Sequence, residues 1–197
     1  MNLMKISKFT RSWQRMLSGR RLDLTDPSPF DIEIEDIARG ISRVARWNGQ
    51  TTGAHALSVA QHSVIVTKLL KLHNSNIETK WQLAALLHDA AEYIVSDMIT
   101  PLKSFLGVEY TELENKIQGA INLRFSLPYE IPQLIYKQIK LCDKQTAFLE
   151  AIQLGGFKEK EARKIFQVPK FIPKYKILPL SSHKAEKIFL KKFKELY

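Results

Sequence analysis

Cysteine is almost missing from this chain. Cys142 is the only one in 197 residues, so no disulfide can close within it, which fits a reducing compartment. No uninterrupted apolar run approaches the roughly 18 residues needed to cross a bilayer, so no membrane span is expected. Residues 1–21 contain no acid and no secretory hydrophobic segment, and they resemble a transit peptide only superficially. Within them Ile6, Phe9, Trp13, Met16 and Leu17 recur at helical intervals. The reading is a basic amphipathic first helix over 1–19, stopped at Gly19, in a cytoplasmic protein. Internal repeats, low-complexity tracts and clear linkers are also absent.

What remains has the balance of a soluble globular protein, 45% apolar and 25% charged. The length suits a single domain, 1–197, large enough to bury a full core. A net charge of +10 draws polyanions, whether nucleic acid, nucleotides or anionic lipid. Much of that excess is lysine between Lys158 and Lys194, interleaved with Glu. Such interleaving reads as a solvated helix face, so a nucleic-acid surface is not the first expectation.

Along the chain, Leu22 and Leu24 alternate as in a short strand, which leaves room for one β-hairpin near the N-terminus. Glu33-Ile-Glu-Asp-Ile37 starts a helix running through Ile41 and Val44, with Arg46-Trp47-Asn48-Gly49 closing it. Ser58-Val-Ala-Gln61 has capping-box spacing and opens a helix that ends near His73-Asn74. Residues 96–101 read as a loop, 108–125 and 135–154 as helices, and Ser181 or Ser182 as the cap of a last helix. The expected fold class is all-α.

Residues 81–95 read as one helix, without Gly or Pro and with Leu83, Leu86, Leu87, Ala90, Ala91 and Ile94 at helical intervals. So apolar a segment belongs in a core, yet it carries His88, Asp89 and Glu92. Unpartnered buried ionisable groups cost several kcal/mol or neutralise. A shared divalent ion is one solution; a hydrogen-bonded core histidine beside two solvated acids is the other. Two further helices alter the balance. His62 points to the buried side of its helix, one turn from Val59 and Val66, and Asp143 shares a stripe with Ile139, Ala147 and Glu150. Two imidazoles and two carboxylates suit one divalent ion such as Co, Mn, Zn, Fe or Mg, with positions left for water and a substrate oxygen.

The order His … His-Asp … Asp resembles the HD superfamily of metal-dependent phosphohydrolases. Ser58-Val-Ala-Gln-His62-Ser63, His88-Asp89-Ala-Ala-Glu92, Asp97-Met-Ile-Thr-Pro-Leu-Lys103 and Cys142-Asp143-Lys144 are similar to successive motifs of its 5′-deoxynucleotidase branch. Gly19-Arg-Arg-Leu-Asp-Leu and Ile41-Ser-Arg-Val-Ala-Arg-Trp-Asn-Gly49 resemble a phage and bacterial subgroup that includes deoxynucleoside triphosphate hydrolases. The resemblance covers about 19–155 and leaves 156–197 as a helical extension. It implies an HD-domain helical bundle with one divalent ion on His62, His88, Asp89 and Asp143. It further implies Glu92 as handler of the attacking water and Asp97 as a second acid/base or sugar-hydroxyl acceptor. Arg46 would hold the phosphate, with Arg43 its rival, Trp47 would flank the nucleoside unless it is core, and Lys103 would add charge. The expected partner is a small deoxynucleotide, and a homodimer is open. Monophosphate hydrolysis is the first choice and triphosphate hydrolysis the second. A basic nucleic-acid-binding module with a vestigial site is the rival from another class. The pattern lacks the extra histidines of two-metal HD proteins, which argues against cyclic-dinucleotide cleavage.

Overall fold

The computed structural model describes residues 11–166, 168–169 and 176–197, apart from the side chains at 100, 101 and 104. Two short strands, β1 (Trp13–Arg15) and β2 (Arg21–Asp23), pair antiparallel with Gln14 opposite Leu22. The expected hairpin is therefore present, and it corrects the helix read over 1–19 as far as that lies in described residues; positions 1–10 lie outside them. A helix would bury Met16 and Leu17 together, whereas here Met16 is buried and Leu17 is exposed. Gly19, at φ +95, makes the left-handed turn that brings β2 back, and Asp36 accepts from both the backbone N–H and the hydroxyl of Ser18.

Among the described residues the rest is helical: α1 (Ile34–Ile41), α2 (Val59–His73), α3 (Thr79–Leu86), α4 (Glu92–Val95), α5 (Thr100–Leu106), α6 (Val108–Arg124), α7 (Gln133–Gln153), α8 (Glu159–Ile165) and α9 (Ser182–Leu196). No described helix is long and apolar enough to cross a membrane. α2 is the centre, packed by α3, α7 and α9 and buried on nearly every face from Val59 to Leu70. Ser58 caps it by accepting from the Gln61 N–H, as its spacing predicts. Phe189 and Phe193 of α9 lie in the main core beside Ile37, Leu69 and Leu86.

Two expected helices stop early, and both interruptions build the site. α1 ends at Ile41 instead of continuing through Val44. Val59 N–H donates to Val44, Arg46 N–H donates to Leu57, and Ala45 bridges Ser58, so 44–46 runs as an extended ladder beside the entry to α2. The ladder leads into a tight turn over Arg46–Gly49 in which Trp47 and Asn48 are left-handed, at φ 58 and 50. The second interruption divides 81–95. α3 ends at Leu86, residues 87–91 turn, and α4 begins at Glu92. Sequence favours an unbroken helix here, but α6 overrides it. Gln118 donates to the Leu87 carbonyl and accepts from the Ala91 N–H, satisfying backbone groups that the break leaves free.

α4 lies directly on α1. A Cβ at Gly40 would come within 2.6 Å of the Tyr93 Cβ and 3.2 Å of its Cα, so the two backbones can meet only at a glycine. We expect Gly40→Ala to cost about 1–3 kcal/mol, read as a lower urea midpoint with an unchanged slope.

Candidate metal centre

Three pieces of chain converge on one point: α2 with His62, the turn between α3 and α4 with His88 and Asp89, and α7 with Asp143. One ligand atom from each lies within 4.8 Å of all the others. His88 Nε2 is 3.0 Å from Asp89 Oδ2, and His62 Nε2 is 3.2 Å from Asp143 Oδ1. The cross-distances are longer, 3.7 Å from His62 Nε2 to Asp89 and 3.9 Å from His88 Nε2 to Asp143. The break at Leu87 aims both His88 and Asp89 inward, which a continuous helix would do less well for adjacent residues.

The other ring nitrogens decide what these rings can do. His62 Nδ1 donates to Glu150 Oε1 at 2.6 Å and His88 Nδ1 to the Ala85 carbonyl at 2.8 Å. Both acceptors lack a proton to give, so each Nδ1 carries the hydrogen and each Nε2 faces the cluster. Both Nε2 atoms are buried with no aligned hydrogen-bond partner, despite the nearby carboxylates. Buried, unpartnered nitrogens converging on two carboxylates fit a divalent ion. His62, His88, Asp89 and Asp143 are the residues that would hold it.

Beside the cluster opens a cavity of about 1030 Å³, lined among others by Arg46, Trp47, Glu92, Asp97, Lys103 and Lys140. Arg46 donates through Nε to Glu150 at 3.0 Å, and its Nη1 stands 3.6 Å from Asp97 and 3.9 Å from Asp89. Trp47 donates to Glu150 at 2.9 Å and packs its ring on Phe157 and Phe166. That packing and hydrogen bond hold the left-handed conformation that Trp47 would not choose alone. Lys103 lines the cavity while paired with Glu114 at 3.0 Å. Arg43 does not enter it. Because α1 ends at Ile41, residue 43 falls before the ladder, and its guanidinium binds Glu186 of α9 at 3.0 Å, which corrects its expected rivalry for the phosphate. His55 and His73 are exposed and do not line the cavity.

The charges are strongly perturbed. Burial, with Asp89 and Asp97 adding to it, pushes the Glu92 carboxyl up to about 9, and one of its oxygens has no partner. Burial also raises Asp97, against the pull of Arg46. Burial works to lower His88, but Asp89 and Asp143 outweigh it and raise the ring to about 9. Glu150 goes the other way: burial opposes its ionisation, yet Arg46 and His62 hold it down at about 2.

Sequence reasoning placed Glu150 on the Asp143 stripe without giving it a task, and it passed over Lys140 altogether. Lys140 Nζ lies 3.1 Å from Asp143 Oδ2, and it was detectable as a cation one turn before a ligand. Glu150, two turns beyond Asp143, is 0% exposed; its importance comes from Arg46 and Trp47, which arrive from about 100 residues away.

The HD domain family matches residues 59–145, a span that contains His62, His88, Asp89 and Asp143. A protein of Rhodobacter capsulatus described as uncharacterized is 57% identical over 159 residues, covering 81% of each chain. The chain carries an HD domain over residues 59–145. The cluster inside that domain is one that could hold a divalent ion. The uncharacterized Escherichia coli protein YfdR is 28% identical over 188 residues, covering 94% of this chain and 96% of its own. A cyanophage S-2L HD phosphohydrolase, DatZ, solved bound to dA and one catalytic Zn2+ ion, is similar at TM-score 0.45 and 19% identity over 81% of each chain.

Two outcomes follow for this HD protein. At neutral pH the raised His88 ring holds a proton on Nε2 that an ion must displace, so metal binding should release protons. Affinity should climb with pH towards about 9, checked by calorimetry in buffers of different ionisation enthalpy. The depressed Glu150 carboxyl adds stability that is complete above its unfolded value and lost as pH falls towards about 2. Glu150→Gln should flatten that acid limb in urea titrations of the metal-free protein.

Proposed function

We propose that this HD-domain enzyme hydrolyses deoxynucleotides at the phosphate, with monophosphates as first substrates. The observation that carries the reading is the composition of the cavity wall: acids on the metal side, Arg46, Lys103 and Lys140 around it, and the Trp47 and Phe166 rings beyond. Cations match a phosphate, and aromatic rings match a base. The preference for the deoxy sugar rests on the motif resemblance across 19–155.

A divalent ion held by His62, His88, Asp89 and Asp143 would supply Lewis acidity towards a phosphoryl oxygen and would acidify a water. Glu92, buried in the same wall with one oxygen free, accepts the proton that the attacking water gives up. Burial, with Asp89 and Asp97, keeps this carboxyl protonated at neutral pH in the metal-free protein, so a cation on the neighbouring ligands would be needed to lower its proton affinity and free it to accept. Arg46 keeps Nε on Glu150, while its Nη1 is beyond hydrogen-bonding distance of Asp97 and Asp89 and turns to the phosphate. Asp97 then accepts from the sugar hydroxyl or returns a proton to the leaving oxygen. Lys140, against Asp143 and Asp89, offsets the negative charge that gathers as substrate binds.

One observation favours triphosphates as the alternative. Lys140 and Lys144 also line an adjoining shallow hollow with Lys137, which gives cations for phosphates beyond the first.

A panel of dNMPs and dNTPs run with Mn, Co, Zn and Mg tests both readings, with released phosphate and inorganic triphosphate measured separately. We expect phosphate from dNMPs, no turnover by His88→Ala, and a fall in kcat of about 10²–10⁴ for Glu92→Gln with metal retained. Triphosphate release alone would select the alternative, and turnover unaffected by His88→Ala would sink both.

A further inference from the structure

We infer that Glu150 is a positioning residue, one of whose oxygens sets the metal-binding tautomer of His62 while the other aims Arg46 and Trp47, so that metal and nucleotide are held through a single carboxylate. The nucleotide half rests on the function proposed above; the metal half does not.

Glu150 is completely buried on α7, and its three donors come from two other places in the fold. Oε1 accepts from His62 Nδ1 of α2 at 2.6 Å, and Oε2 accepts from Arg46 Nε at 3.0 Å and Trp47 Nε1 at 2.9 Å. Packing alone does not ask for an acid there, since its stripe continues through Ala147 and the fully buried Ala151. Balancing the Arg46 charge would occupy one oxygen. The second is spent on a ring whose far nitrogen faces Asp89 and Asp143.

An ionised carboxylate only accepts, so His62 must present its hydrogen at Nδ1 and its lone pair at Nε2. A glutamine of the same shape cannot serve all three donors. With its NH2 towards His62, the ring hydrogen moves to Nε2 and closes the metal position. With its NH2 towards Arg46 and Trp47, donor meets donor and both are pushed from the cavity wall. Ligand geometry and substrate grip are therefore tied at one point.

The test uses the full chain, stripped of metal and titrated with Zn2+ against a chromophoric chelator, then the zinc-saturated protein titrated with dTMP. Glu150→Gln should raise the zinc Kd about 10–100-fold and weaken dTMP about 10-fold, with cooperative melting retained. Glu150→Asp keeps the charge but draws it back, and should weaken both to a smaller extent; it decides the matter if the Gln variant does not fold. Long-range ¹H–¹⁵N spectra of the metal-free wild type at alkaline pH should show His62 protonated at Nδ1. An Nε2-protonated ring, or folded variants that keep either affinity, overturns the inference. Should the wild type hydrolyse no nucleotide, the proposed function fails, and the zinc affinities with the tautomer decide for or against Glu150.

Discussion

His62 is 0% exposed in the first turn of the most buried helix, and the architecture answers to that constraint. A fully buried imidazole needs a use for both nitrogens, because an unpaired polar atom in a core costs on the order of 1–3 kcal/mol. One nitrogen is given to α7 through Glu150. The other opens onto a point that the α3–α4 turn and Asp143 also reach. The packing of α2 on α3 and α7 is thus fixed by polar chemistry as well as by apolar area.

Charge balance explains why so many ionisable groups tolerate so little water. Asp89, Asp97, Asp143 and Glu150 surround a guanidinium and a lysine, while Glu92 makes an ion pair with neither. Buried pairs of this kind gain little stability over apolar residues of the same size, and breaking one is expensive. Their presence marks a site kept for chemistry. Arg46 stands where the acids meet: it steadies Glu150 while leaving part of its fork uncommitted.

Much of this was legible in the sequence. His62, His88, Asp89 and Asp143 stood out because ionisable groups on apolar stripes need a reason, and helical spacing says which way they face. The Ser58 cap and the long α7 followed from local signals that no tertiary contact contradicts. Most of the failures share one cause. Residues 81–95 have every local reason to remain helical and are bent by Gln118 of α6; residues 44–46 leave α1 to form a ladder with 57–59. Trp13 and Met16 at helical spacing were read as a helix face, where a Gly19 turn folds a hairpin. Arg43 looked like a neighbour of Arg46 only while both were placed on one helix. In each case but that local hairpin, a partner distant in sequence supplied the deciding contact.

The Gln118 clamp bears on the order of assembly. The peptide around His88 and Asp89 prefers a straight helix until α6 is in place, because the turn needs both hydrogen bonds from that side chain. Two of the four ligands therefore acquire their aim from a contact about 30 residues further along the chain, and a third, Asp143, lies beyond even that. The four groups therefore come within 4.8 Å of one another only where α2, the α3–α4 turn and α7 are packed together, so the geometry a metal would need is a product of the tertiary fold and of no single segment.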